Sequence, residues 1–390
     1  SMPLVSNKYW SNALKANNFD SITVMEGFFN INKKDDFDKY FEDFVPINIR
    51  ILPNLVNREL GRGLALIFVL RRSKVLHTSF NGFALNDSIW WWIEPLLIKI
   101  SGCKTIIMPF GGDAYPYSLI QDISLRIGLI DSYRKLAFKE DMILKRIKQW
   151  NKYSDIIISG FMVDSIPRWD VNIPSPFTID INEWQSKEEY SLNNGRNGIV
   201  KIIHTSNHRG FNGTHFIINA INNLKSRGYL IEFILIENTP NEEIRKIIKT
   251  ADILVEQLIF GGYAFSGIEG MSSGLPVLSN LDNDFYTKHH YRLSFLKECP
   301  ILSTTPENLE ENLQLLIERP TLRKEIGIAS RKYVEKYHSQ HSAFKLFKRI
   351  YDKLFLDPEL DILNIYHPII GIDTEKKIIH PLKYNKYIEE

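Results

Sequence analysis

The chain has 390 residues, more than one domain usually holds, so two domains are expected. Its composition, 44% hydrophobic and 24% charged, is that of an ordinary globular protein rather than a disordered or fibrous one. A net charge of +2 gives no basic footprint for nucleic acid, and two cysteines, Cys103 and Cys299, are too few for a disulfide framework, which points to a reducing cytoplasm.

Ser1-Met2 reads as a cloning remnant with no apolar signal segment behind it, and residues 9–16 already carry a helical pattern. A doubly wound sheet normally opens with a buried strand. Either that strand is missing or the sheet starts at 21–25. Further strand patterns follow at 47–52, 74–77, 105–109 and 155–159, with helical stretches at 89–100 and 132–153. The first of these helices contains Glu94 and Lys99 and falls short of the roughly 20 apolar residues that cross a bilayer, so an integral membrane protein is not expected.

A polar, proline-containing stretch at 174–197 is the expected hinge. Beyond it, strands at 199–204, 231–237, 253–257 and 276–279 alternate with helices at 214–227, 242–250, 266–273, 306–319 and 320–338. This alternation predicts an α/β chain of two Rossmann-like doubly wound domains, which bind ligands at the carboxyl ends of their strands. The domains are placed at 1–180 and 181–355, with the tail 356–390 packing back on the first. No C-x-x-C or H-E-x-x-H spacing signals a metal site.

The richest segment runs from Ala251 to Ser279: a buried strand with a polar end, Glu256-Gln257, then Leu258-Ile259-Phe260-Gly261-Gly262-Tyr263-Ala264-Phe265, a helix from Ser266 and the strand Pro276-Val277-Leu278-Ser279. The glycines allow close backbone approach, and the helix N-terminus offers N–H groups and a positive dipole end to a phosphate. Glu269, one turn in, is placed to accept hydrogen bonds from a ribose. A tight strand-to-helix connection would explain the same pattern without a ligand.

Glu269-Gly270-Met271-Ser272-Ser273-Gly274-Leu275-Pro276-Val277 resembles the donor-site signature of the retaining, GT4-like group of GT-B glycosyltransferases. The resemblance covers about 199–354 and implies two Rossmann-like domains facing a cleft, a nucleotide-sugar as co-substrate, no metal, and Glu269 on the ribose hydroxyls. The family's E-x7-E pattern is broken, because Gly261 stands where its first glutamate contacts the transferred sugar. Upstream, Ile202–Thr214 is similar to the family's diphosphate loop, which implies a phosphate-binding role for Arg209 beside Gly210, while Asn212 replaces the family's lysine. Glu237, at the end of strand 231–237, borders the expected nucleobase region. The resulting donor set is Arg209, Gly210, Asn212, Glu237, Gln257, Gly261, Gly262, Tyr263, Ala264, Phe265, Ser266 and Glu269.

In the first domain, His77 and Asn81 follow one strand, and Gly111-Gly112-Asp113 follows the next. The resemblance implies that these strand ends face the cleft, where Asp113 would orient or deprotonate an acceptor hydroxyl, His77 would hydrogen-bond an acceptor or a sugar, and Arg209 would support the leaving phosphate. A buried, satisfied histidine and a capping aspartate are the plainer readings. Asp113 is not part of a D-x-D metal motif, since Gly111 and Tyr115 lie two positions away. Trp90-Trp91-Trp92 and the basic stretch 132–153 read either as a core cluster beside a solvated helix or as a peripheral contact with an anionic membrane.

The resemblance implies a cytoplasmic glycosyltransferase acting on a glycan or lipid-linked acceptor in bacterial surface polysaccharide (lipopolysaccharide or capsule) synthesis. A site at the inner face of the membrane, no nucleic-acid partner and no metal cofactor complete the expectation, with oligomeric state left open. A nucleotide-sugar epimerase and a non-catalytic sugar-nucleotide-binding subunit are the alternatives.

Overall fold

A computed structural model describes residues 5–27, 32–47, 53–161, 164–206, 208–371 and 376–384. The expected strand at 47–52 lies almost wholly outside these residues. The chain forms two compact units, each made of three separate stretches: 1–120, 136–176 and 344–365 in the first, and 121–135, 177–343 and 366–390 in the second.

In the first unit, strands Val75–Thr78, Lys104–Ile107 and Ile156–Ile157 form a three-stranded parallel sheet in chain order. Ile106, Ile107 and Ile157 are fully buried, as expected of strands covered on both faces. A separate parallel pair joins Val24–Met25 to Lys39–Tyr40. Helix Asn54–Arg72 was not anticipated from sequence, because Gly61 and Gly63 interrupt its apolar period. Gly61 is required there: a Cβ would sit 2.4 Å from the carbonyl oxygen of Phe41.

The stretch 89–100 is helical only over Glu94–Ile100. Glu94 is buried and accepts backbone N–H bonds from Phe83, Ala84 and Leu85, so it closes the preceding loop and ends the helix on that side. The tryptophans before it do not form a core cluster. Trp90 is 56% and Trp92 45% exposed, with Ile89 at 79% beside them.

The second unit carries a five-stranded parallel sheet in the order Leu302–Ser303, Val277–Ser279, Ile253–Val255, Val200–Thr205, Ile231–Ile236. Its middle strands are buried on both faces; Ile202, Ile253, Val255 and Leu278 share the face covered by helices Thr214–Ser226 and Leu309–Glu318, which pack on each other. Polar side chains sit inside this sheet too, His204 and Ser279 among them. His204 presents Nδ1 to the Val255 carbonyl (2.7 Å) and Nε2 to the Thr214 hydroxyl (2.9 Å), and burial lowers its pKa to about 4, so it stays neutral.

The units divide the chain differently from the sequence expectation in two respects. Helix Ile123–Tyr133, expected within 1–180, belongs to the second unit, where it buries Leu125, Gly128 and Leu129. In the tail, 356–365 belongs to the first unit but 366–390 to the second. The physical causes are local. Helix Gln340–Phe355 stacks Phe347 and Tyr351 beside His77 of the first unit, whereas Tyr366 packs edge-on against Phe295 of the second.

Candidate functional site

In the second unit, the loops after Val200–Thr205, Ile231–Ile236 and Ile253–Val255 leave the same carboxyl edge of one parallel sheet, because those strands are neighbours in it. All the donor-side candidates lie on or just beyond these loops. The central loop is organised by Glu256, which the sequence pattern gives only as the polar end of a strand. Its Oε1 accepts from the backbone N–H of Ala264 (2.8 Å) and Gly267 (2.9 Å) and from the Ser266 hydroxyl (2.9 Å). Part of the N-terminus of helix Phe265–Ser272 is therefore already filled by a carboxylate of the chain itself. The N–H groups of Phe265 and Ser266 have no acceptor among the described residues and remain the open part of that helix end.

Glu256 is fully buried, and desolvation raises its pKa to about 7 against the pull of its three donors. It also fixes the choice of glycine at 267, where a Cβ would stand 2.3 Å from its Oε2. Glu269 differs from it. It is 8% exposed, and its carboxyl makes no hydrogen bond with the described residues. Burial raises its pKa to about 8, with Arg245 opposing and Glu256 adding to the rise. Its own chain therefore leaves this carboxyl without a partner among the described residues.

Gly261, in the position of the resembled family's first acid, is sterically committed. A Cβ there would lie 2.5 Å from the Cβ of Asn283. Asn283 cannot easily yield, since its Oδ1 accepts from the N–H of Phe285 and Tyr286 and its Nδ2 donates to Asp122 (2.6 Å). Asp122 in turn caps helix Ile123–Tyr133. Gly262 takes φ +136° and donates its N–H to the Asn280 carbonyl. Gln257 is buried with its Nε2 unpartnered among the described residues, while its backbone carbonyl accepts from Asn280.

The side chain of Tyr263 points into the core, not toward a ligand. Its hydroxyl meets those of Tyr333 and His338 Nε2 at 2.9 Å each, and His338 Nδ1 meets the Phe177 carbonyl. Ala264, Phe265 and Ser266 are half-buried, with Phe265 stacked on Phe177 at 4.8 Å.

Arg209 is exposed and already paired. Its Nε and Nη2 reach the two carboxylate oxygens of Glu237 at 2.8 and 2.7 Å. This bidentate pair holds the guanidinium beside the loop, and a phosphate would compete with Glu237 for it. Gly210 is covered by helix Ile123–Tyr133, with its Cβ direction blocked by Asp131 and the neighbouring Phe211 N–H bonded to the Ser132 hydroxyl (3.0 Å). Asn212, in place of the family's lysine, is buried and accepts from the Ser206 hydroxyl. It is a structural residue here.

In the first unit the acceptor-side candidates gather at adjacent strand ends but are mostly consumed there. Asp113 is 1% exposed. Its carboxylate accepts from the N–H of Phe80, Phe110 and Gly111, tying together the loops after Val75–Thr78 and Lys104–Ile107, and burial lifts its pKa to about 6. It clamps those loops, with no open face from which to take a proton. His77 bonds the Tyr351 hydroxyl through Nε2 (2.8 Å), and burial lowers its pKa to about 4, so it too is a satisfied neutral side chain. Asn81 accepts from Arg146 (2.9 Å). Gly111 takes φ +136°, and Gly112 faces Leu136.

No family model matches the chain, and no curated protein matches it by sequence. In fold it is similar to sucrose-phosphate synthase from Thermosynechococcus elongatus, with TM-score 0.55 and 11% identity, covering 89% of this chain and 92% of that one. It is also similar to HepE from Anabaena in complex with UDP-glucose, with TM-score 0.52 and 9% identity over 90% and 97% of the two chains. An α-glucosyltransferase in complex with UDP and DNA gives TM-score 0.51 and 13% identity over 89% and 95%. The chain has the GT-B fold, with two Rossmann-like units on parallel sheets.

Proposed function

We propose that the chain is a glycosyltransferase that binds a nucleotide-sugar on the carboxyl edge of its second sheet. The observation that carries this reading is the unit 253–279, where Glu269 offers a nearly buried, unpartnered carboxyl and the N–H groups of Phe265 and Ser266 stand open. The carboxyl suits a ribose diol, and the helix end suits the adjoining phosphate. Similarity in fold to proteins crystallised with UDP-glucose or UDP supports a uridine nucleotide as the first donor to try.

In the proposed reaction an acceptor hydroxyl displaces the nucleotide with retention and without a metal. The open N–H groups and Arg209, released from Glu237, offset charge on the leaving phosphate. Gly261 places no carboxylate on the transferred sugar. With Asp113 and His77 both satisfied, neither serves as the base, and the leaving phosphate is the group nearest in kind to accept the acceptor's proton. The acceptor is proposed to be a glycan or lipid-linked glycan of bacterial surface polysaccharide, met in the cytoplasm at the inner face of the membrane through a peripheral contact.

Calorimetric titration with UDP and a panel of nucleotide-sugars tests the donor assignment. Glu269→Ala is expected to weaken nucleotide binding roughly 10- to 100-fold, the value of one or two hydrogen bonds to a charged group. Unchanged affinity would remove the ribose assignment. Release of free nucleotide only when acceptor is present supports transfer.

A further inference from the structure

The second unit contains a cavity of about 670 Å³ well apart in sequence from the donor loops. One wall is the stretch 291–298 with Lys336 and Tyr337, and the other is the tail, at 366–369 and 377–383. The tail is fastened on both sides of it. Tyr366 packs on Phe295 at 5.0 Å, and the Ile378 N–H and Lys336 share the Glu298 carboxylate at 3.1 and 3.0 Å.

Two features of the lining stand out. Arg292, Lys297, Lys377 and Lys383 are exposed and have no ion pair among the described residues, while the single lining carboxylate, Glu298, is taken by Lys336. The described lining residues therefore carry a formal +4, against +2 for the whole chain. At the same mouth, Ile369 is 86% and Ile379 59% exposed, with Ile370 next in sequence at 62%. Bare isoleucines beside unpaired cations suit neither water alone nor a soluble anion alone.

We propose that this cavity is a docking site for the phosphate head of an anionic lipid, with Ile369, Ile370 and Ile379 entering the bilayer interface. Cations attract the headgroup and confine it, and the isoleucines gain by leaving water. An acidic oligosaccharide would use the cations but would leave the isoleucines unexplained. The proposal refines the membrane contact suggested above and moves it from the first unit to the tail of the second. Donor binding does not depend on it.

The test is co-sedimentation of the full chain with vesicles of phosphatidylcholine and phosphatidylglycerol at 7:3, against pure phosphatidylcholine. Binding to the mixed vesicles only is expected, with the partition coefficient falling on the order of fivefold per cation removed in Lys297→Gln and Lys377→Gln. Ile369→Asn with Ile379→Asn should lower it comparably, with no change in UDP affinity measured on the same variants. Equal binding to neutral vesicles overturns the proposal, as does wild-type binding by both variant pairs. So does a site that takes inorganic pyrophosphate or oligogalacturonate equally well with and without the isoleucines while ignoring vesicles. Because UDP titration accompanies each variant, loss of the lipid site and loss of the donor site are read separately.

Discussion

At the scale of single residues, two glutamates thirteen positions apart show how burial sorts like groups into different work. Glu256 is enclosed, with one oxygen held by the loop it organises and the other unpartnered among the described residues, whereas Glu269, 8% exposed, has no partner at either oxygen. The elevated pKa of Glu269, about 8, gives the proposed ribose contact a pH dependence. Ribose hydroxyls donate best to the ionised carboxylate, so binding draws the pKa down and affinity must rise with pH until the free group is ionised. Calorimetry between pH 7 and pH 9 should show nucleotide binding tightening in the wild type and staying flat in Glu269→Gln. A flat wild-type profile would leave the carboxylate with no part in binding. The sequence offers Arg209 as a phosphate-binding candidate beside its loop but not its bidentate pair with Glu237, because nothing in the spacing brings two strand ends together.

At the scale of elements, the strand–loop–helix unit at 253–279 was readable almost residue by residue, since its glycines, helix and closing strand all obey local rules. Its anchor was not readable. Glu256 reaches the helix start across a loop whose path depends on tertiary packing, and no local pattern links 256 to 264 and 267. The same limit applies to helix Asn54–Arg72, whose Gly61 only the backbone of Phe41 explains, and to Asp113, whose three donors come from two loops.

The anchor also has a measurable cost. The folded chain raises the Glu256 pKa from its ordinary 4.5 to about 7. A raised acid contributes fully below the unfolded value and loses that contribution as pH climbs through the folded one. Stability should therefore fall between about pH 4.5 and 7, by roughly 3 kcal/mol for a shift of this size. Glu256→Gln keeps an oxygen for the three donors and removes the titration. Its melting temperature should drop less between pH 5 and pH 8 than that of the wild type, and an identical drop would assign the pH dependence elsewhere.

At the scale of the whole molecule, the alternating pattern was enough to give an α/β fold built on two parallel sheets. It could not show that the chain passes between units five times, because a helix such as Ile123–Tyr133 is apolar on more than one face and its period does not choose a partner. A practical outcome follows for dissection. Fragments 1–180 and 181–390 each lack part of one unit, so neither should melt cooperatively alone by circular dichroism. A cooperative transition in 181–390 comparable to that of the full chain would mean that 121–135 is dispensable to the second unit.

The three-stretch make-up of each unit bears on how such a protein could be recombined. Exchanging the first unit for that of a relative means moving residues 1–120, 136–176 and 344–365 as one set, with both ends of helix Ile123–Tyr133 left in register against Gly210 and Asn283. A chimera joined at a single point would graft a foreign helix onto the donor loop. On the proposed assignment of acceptor to the first unit and donor to the second, a new acceptor preference would then arrive together with an altered donor site, and the two specificities would be hard to change one at a time.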